Sequence, residues 1–271
     1  HTRSLCDWSS DVCSSDLKED LQMALDIIFK KAEEYGLIFN SEKSQMLVNG
    51  RVLENLENFK MGVGEIHRVD SARDLGVVVD DKLDWKKHVA EKSLKVVRAV
   101  HSFKRNFKTR DTKALERTWN VFLSPQLMYG SVIWNNVGHD TIRWLMRPFK
   151  MFWRMNVGGR PPSSVRNPVE QAVYSDLMFA WSMFNGKTSL NFAEYFRLAQ
   201  HTANTRFVTN NRLLPPRPRR LTFTKSYTVR MTRALNSLPP DSLFKPKESF
   251  KELARSYSQR HYIDIALTRG L

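Results

Sequence analysis

The sequence predicts an α+β chain that is mostly helical: a small N-terminal part made of one helix and short antiparallel strands, then a helical bundle, then a helical C-terminal extension. Three observations predict it. After Trp85, apolar residues recur at three- and four-residue steps over several long stretches. Short apolar runs bounded by Gly, Asn and Asp are confined to residues 37–79. Gly158-Gly159-Arg160-Pro161-Pro162 interrupts the helical pattern and marks a boundary between bundle and extension. The expected parts are therefore residues 1–17, 18–83, 84–157 and 158–271.

With 271 residues and 41% apolar content, the chain can bury a real core as one large domain or two small ones. Its 43 Lys and Arg against 28 Asp and Glu give a net charge of +15, which points to a polyanionic partner or to a surface kept basic for solubility. No apolar run approaches the roughly 20 residues of a membrane span, so no membrane partner is expected. Residues 1–17 stand apart and are expected to be disordered. Asp7 to Leu17, DWSSDVCSSDL, has neither helical nor strand periodicity and reads as a translated sequencing adapter. Cys6 and Cys13 have no cluster of His or Cys around them that would make a metal-binding leader. Setting residues 1–17 aside raises the charge of the remainder to +17 and leaves it without cysteine. That excludes disulfides and thiolate sites there and suits a reducing nuclear or cytoplasmic compartment.

Lys18 to Tyr35 reads as an amphipathic helix with Leu21, Leu25, Ile28 and Ala32 on one face, ended by Gly36. Strands are expected at Leu37–Phe39 and Gln45–Val48 around the turn Asn40-Ser41-Glu42-Lys43, then at Val52–Leu56, Ile66–Val69 and Leu75–Val79, with a turn at Gly62 to Gly64. Gly76 permits either a close backbone approach or a plain sheet turn. Asp80 to Asp84 forms a turn in which Asp84 caps the next helix. In that helix, Trp85 to Phe107, Val89, Val96, Val100, Phe103 and Phe107 share a face, while Lys87, Lys95, Arg98, Lys104, Arg105, Lys108 and Arg110 populate other faces or the C-terminal end. These cations either lie solvated or neutralise phosphates.

A second helix, Thr112 to about Ser124, reaches Pro125, which starts a new helix or kinks this one. Trp119, Phe122, Tyr129 and Trp134 are expected to pack between helices rather than stack on bases. His139 to Val157 is a third helix, apolar at Trp144, Leu145, Phe149, Phe152 and Trp153 and basic at Arg143, Arg147, Lys150 and Arg154. Pro168 to Phe184 follows, its face made by Val169, Val173, Leu177, Ala180, Trp181 and Phe184, and then a shorter helix, Phe192 to Ala199. Residues 202–224 are polar and rich in Pro and Arg, including Arg217, Arg219 and Arg220, and read as an extended basic segment. Short helices at Tyr227–Leu238 and Ser249–Tyr257 close the chain.

The order D-L-G-V-x-x-D-x-x-L-x-W-x-x-H (Asp74 to His88), a basic helix, then S-P-Q-L-x-Y-G-S-x-x-W (Ser124 to Trp134) resembles the end of the reverse transcriptase of jockey-like non-LTR retrotransposons. R-x-R-R-L-T-F-x-x-S, V-R-x-x-x-A-L-N-S-L-P-P and S-F-K-x-L resemble the tail of the same polymerases. There a Trp often precedes the Asn-x-Leu-Pro, where this chain has Leu235. The resemblance implies that residues 18–83 are the end of the polymerase palm, 84–157 the helical thumb that closes over template and primer, and 158–271 a C-terminal extension. It implies that Lys43 is the motif D lysine, a candidate to protonate the pyrophosphate leaving group; the other reading of Lys43 is a solvated turn lysine. It implies that the strands around Gly76 correspond to the primer grip.

The family's catalytic carboxylates lie upstream of the helix at Lys18, with an Asp-Asp pair on a hairpin just before it. Asp80-Asp81 precedes L-D-W-x-x-H instead, so it is not that pair. Two-metal phosphoryl transfer needs those ligands. The expectation is thus a fragment of an RNA-directed DNA polymerase, inactive alone, with no cofactor of its own although the complete polymerase uses Mg. Its expected partners are the RNA template, the RNA/DNA duplex and the missing N-terminal half. The alternative is a freestanding basic helical module that binds RNA or protein. A hydrolase finds no H-E-x-x-H, G-x-S-x-G or phosphate-binding Gly loop.

Overall fold

The computed structural model describes residues 14–40, 43–49, 59–135, 139–198, 212–217 and 226–269. The strand expected over residues 52–56, and Arg219 and Arg220, lie outside them. The architecture is α+β and mostly helical. The chain divides into two compact units, His1–Leu83 and Asp84–Leu271, so residues 84–157 and 158–271 fall within one unit. Among the described residues no helix is long and apolar enough to cross a membrane.

In the first unit, helix α1 (Ser14–Glu34) begins four residues ahead of the expected start. A helix propagates from an existing nucleus at little cost. The strands are β1 (Gln45–Met46), β2 (Phe59–Met61), β3 (Gly64–Arg68), β4 (Ser71–Asp74) and β5 (Val77–Asp80). They form a sheet in the order β1-β3-β2 and a separate β4-β5 hairpin. The β2–β3 and β4–β5 pairs are antiparallel, while β1 pairs parallel with β3. The Gln22 side chain extends the β2 edge: its amide nitrogen donates to Lys60 O at 2.8 Å and its amide oxygen accepts from Lys60 N at 3.0 Å. Gly62, at φ 60°, lets the Phe29 ring lie where a Cβ would be only 2.4 Å from it.

Three expectations for this unit are corrected. Residues 37–39 form no strand; Phe39 instead stacks on Phe29 at 6.3 Å. Leu75 and Gly76 are the two-residue turn of the β4–β5 hairpin, not strand: both have positive φ, 44° and 83°, the signature of a type I′ turn that matches strand twist. The covered side of α1 runs through Gln22, Leu25, Phe29 and Ala32, leaving Leu21, Met23, Ile27 and Ile28 exposed. The apolar residues of α1 span more than one face, and β2 covers only part of that arc.

The second unit is built on α2 (Lys86–Asn106) and α6 (His139–Val157). Ser93 of α2 meets Trp144 of α6, and Phe103 meets Phe152 at 5.7 Å, so the contacts advance in the same direction and the two helices run parallel. Pro148 explains the first contact. Proline has no N–H to give the carbonyl four residues back, and that carbonyl, Trp144 O, accepts the buried Ser93 hydroxyl at 2.7 Å. Ser93→Ala is therefore expected to cost about 1–3 kcal/mol by leaving a buried acceptor unmet. In a Pro148→Ala background, whose residue 148 N–H returns to Trp144 O, most of that cost should vanish; urea midpoints of the four proteins give the coupling.

Between these helices lie α3 (Thr112–Thr118), a π-helical turn at Trp119–Leu123, α4 (Ser124–Met128) and α5 (Ser131–Trp134). Asp111 caps α3 by accepting the Lys113 N–H. Pro125 stands at the start of a new helix, α4, as one of the two readings expected. The turn ahead of it widens, with Ser124 N bonded five residues back to Trp119 O, and the proline occupies the first turn of α4, where no N–H is needed.

After α6 come α7 (Pro168–Phe184), α8 (Phe192–Tyr195), α9 (Tyr227–Ser237), a 3-10 turn at Ser242–Phe244 and α10 (Lys247–Arg269), which is much longer than expected. Asn167 and Glu170 form a capping box on α7. The helix expected over Phe192–Ala199 is only one turn, because Leu198 bridges to Leu213 as extended chain.

One buried joint between the extension and the bundle centres on Asp176. Asp176, fully buried on α7, accepts from Arg230 Nε of α9 at 2.9 Å and from Asn135 Nδ2 at 2.8 Å. Arg230 also donates to Val132 O of α5 and lies over the Tyr227 ring at 5.1 Å, while Tyr227 OH donates to Asp176 O at 2.9 Å. Burial pushes the Tyr227 hydroxyl well above its ordinary value, with the Asp176 charge adding to it.

Candidate nucleic-acid interface

The expected site residues fall into separate places. Lys43 is exposed in a turn where its N–H donates to Asn40 Oδ1 at 3.1 Å, and Gly76 is a hairpin turn. Asp80 Oδ1 accepts the Lys82 N–H and Asp84 Oδ1 accepts the Lys86 N–H, so both carboxylates hold backbone turns. Asp84 thus acts one residue earlier than an N-cap, a position Trp85 occupies with left-handed φ of 62°.

On α2, at about 100° per residue, Lys87, Arg98 and Arg105 share one row directly opposite the buried face of Val89, Val96 and Val100. Lys95 stands beside that row. Lys104 turns toward the buried side and is half-buried, and Lys108 and Arg110 are exposed on the segment after the helix. Glu91 and Leu94 interrupt the row. Arg217 is exposed at the end of a short extended stretch whose Leu213 backbone is held at both ends by the Asn236 side chain, accepting at 2.9 Å and donating at 2.8 Å. That clamp gives the Asn of the N-x-L-P motif a structural job.

A better row, read from sequence only as the basic residues of its helix, lies on α6. Arg143, Arg147, Lys150 and Arg154 occupy steps of four, three and four residues on α6 and lie within an arc of about 60°, all exposed. No acidic residue interrupts the row, and none of the four makes an ion pair among the described residues; Arg147 rests over the Trp144 ring at 5.6 Å. It runs for about 16 Å along the axis, with one cation every 5 Å or so. One strand of duplex presents a phosphate about every 3.4 Å of axis, so the row faces roughly five of them. The helix beneath is rigid, seated through Ile142, Leu145, Phe149, Phe152 and Trp153. The signal was readable: basic residues at i, i+4, i+7 and i+11 of one helix. The two rows open on different sides of the unit. The α2 row faces away from α6, and the α6 row lies nearly opposite Phe152, which meets α2.

The four aromatic residues divide. Trp119 and Trp134 are buried, and Trp134 Nε1 donates to Tyr129 O at 2.9 Å. Phe122 and Tyr129, expected to pack between helices, are 65% and 52% exposed. The π turn displaces Phe122 from the buried stripe, and Tyr129 carries Lys92 over its ring at 5.0 Å. Compared with known proteins, the chain matches no family model, no curated protein and no solved structure.

Proposed function

We propose that the chain is the C-terminal part of the RNA-directed DNA polymerase of a jockey-like non-LTR retrotransposon, and that its role in that enzyme is to hold an RNA/DNA duplex by the sugar-phosphate backbone in the nucleus or cytoplasm. The observation that carries the binding half of this reading is the uninterrupted α6 row on a rigid helix. Cations fixed on such a scaffold release counterions from phosphates without reading base edges. The motif order from Asp74 to Trp134 carries the family half.

The exposed Leu21, Met23, Ile27 and Ile28 of α1 support the fragment reading. A helix apolar on so broad an arc is made to be covered on more than one side, as it would be by the upstream palm. Chemistry would come from Mg held by carboxylates of that upstream part. The full chain should bind RNA/DNA hybrids of unrelated sequence with equal affinity and extend no primer. An open frame encoding F/Y-A-D-D directly upstream would agree with this reading, and strong preference for one sequence would oppose it.

A further inference from the structure

The C-terminal end of the α6 row leads into a cleft. Lys150 and Arg154 belong both to the row and to the wall of a space of about 880 Å³ closed by the Gly158–Val165 turn, the start of α7 and the middle of α10. That volume lies within the range of about 300–1,000 Å³ typical of small-ligand sites. Its chemistry is two-sided. Lys150, Arg154 and Arg160 are exposed cations of its lining. The floor is apolar, with Phe149, Trp153 and Val165, and Ile263 of α10 stands at the edge, half exposed.

The remaining wall carries Glu170, Gln259 and Tyr262. Burial raises the Glu170 carboxyl above its ordinary value despite the Asn167 N–H it accepts. Burial raises the Tyr262 hydroxyl as well, with the Glu170 charge second. Trp153, fully buried beneath the lining, has an indole N–H with no hydrogen-bond partner among the described residues. Buried donors of that kind are uncommon, because each costs about 1–3 kcal/mol.

We propose that this cleft takes one unpaired nucleotide of the strand tracked by the α6 row, with its phosphate among Lys150, Arg154 and Arg160 and its base over the apolar floor. A fatty or peptide ligand would suit the floor but would bring no anion to Lys150, Arg154 and Arg160, which outnumber Glu170 in the lining. A free phosphate would leave the floor uncovered. A nucleotide brings an anion and a flat apolar body joined as the cleft requires, and the row delivers it there. The proposal rests on the duplex-holding role proposed above and adds a place for a base outside the duplex.

The test uses the full chain and two RNA/DNA hybrids identical except that one carries a single unpaired nucleotide at one end. Anisotropy titrations should show the overhang tightening binding about tenfold, the scale of one base packed on a protein surface. Ile263→Trp, which fills the mouth from an exposed position, should abolish that advantage while leaving blunt-hybrid affinity and melting temperature unchanged. Gly159→Trp, at an exposed glycine whose added Cβ meets nothing within 4 Å, should do the same from the opposite rim. Blunt and overhang hybrids binding equally well would overturn the cleft proposal and leave duplex holding intact. An overhang advantage that survives both variants would also overturn it, and absence of binding to either hybrid would overturn both proposals.

Discussion

Asp176→Ala is expected to destabilise the helical unit by about 3–5 kcal/mol, the cost of removing one member of a buried ion pair. Arg230 would keep its contacts with Val132 O and Tyr227 but lose its counter-charge, and Asn135 would lose its acceptor. Asp176→Leu combined with Arg230→Met should recover most of the loss, because the desolvation of two charges disappears along with their attraction. Urea midpoints check both.

The pH dependence has a definite sign. Burial, opposed by the Arg230 charge and by hydrogen bonds from Arg230 and Asn135, leaves the Asp176 carboxyl pushed up to about 6 from 3.8. The native state holds this proton more tightly than the unfolded chain. The contribution of Asp176 is therefore full below about pH 4 and lost as pH rises through about 6. Relative to Asp176→Asn, which does not titrate, the wild type should gain up to about 3 kcal/mol between pH 7 and pH 4. A gap that stays flat or widens upward in pH would contradict the burial of this carboxylate.

Reversing Arg143, Arg147, Lys150 and Arg154 together to Glu should weaken hybrid binding on the order of a thousandfold or more near physiological salt, since four phosphate contacts become four repulsions. The fold should survive, because all four side chains are exposed. Unchanged far-ultraviolet circular dichroism and melting temperature confirm that control. Lys87, Arg98 and Arg105 reversed on α2 should cost much less, because Glu91 and Leu94 break that row and it opens on another side. Equal losses from the two sets would place the duplex elsewhere.

Three long helices were legible because their apolar periodicity coincides with one buried side: α6 and α7 have the expected bounds, and α2 differs by one residue at each end, whereas α10 runs well past the short helix expected there. Asp176 was legible in principle. It sits at the i+3 position of an apolar stripe through Val173, Leu177 and Ala180, where a carboxylate requires a partner. The partner was not, because Arg230 lies 54 residues away and only the tertiary fold brings it there.

The small strands were less legible, since pairing distributes the pattern over distant segments. Leu75 read as strand because it is apolar, yet the pairing of Asp74 with Val77 makes it a turn residue. Phe122 was misplaced because a π turn shifts every later side chain relative to a 100° wheel. The α6 row was plain in spacing, but its value depended on knowing that neither acidic side chains nor neighbouring helices cover it.

The most direct test of the backbone-holding role is the salt dependence of binding between the full chain and a blunt RNA/DNA hybrid. The account predicts log K falling linearly with log salt, with a slope of about −0.9 per phosphate contact, and a slope shallower by roughly 3 to 4 when the four α6 cations are replaced by Gln. An affinity indifferent to salt, or a slope the Gln variant leaves unchanged, would contradict it.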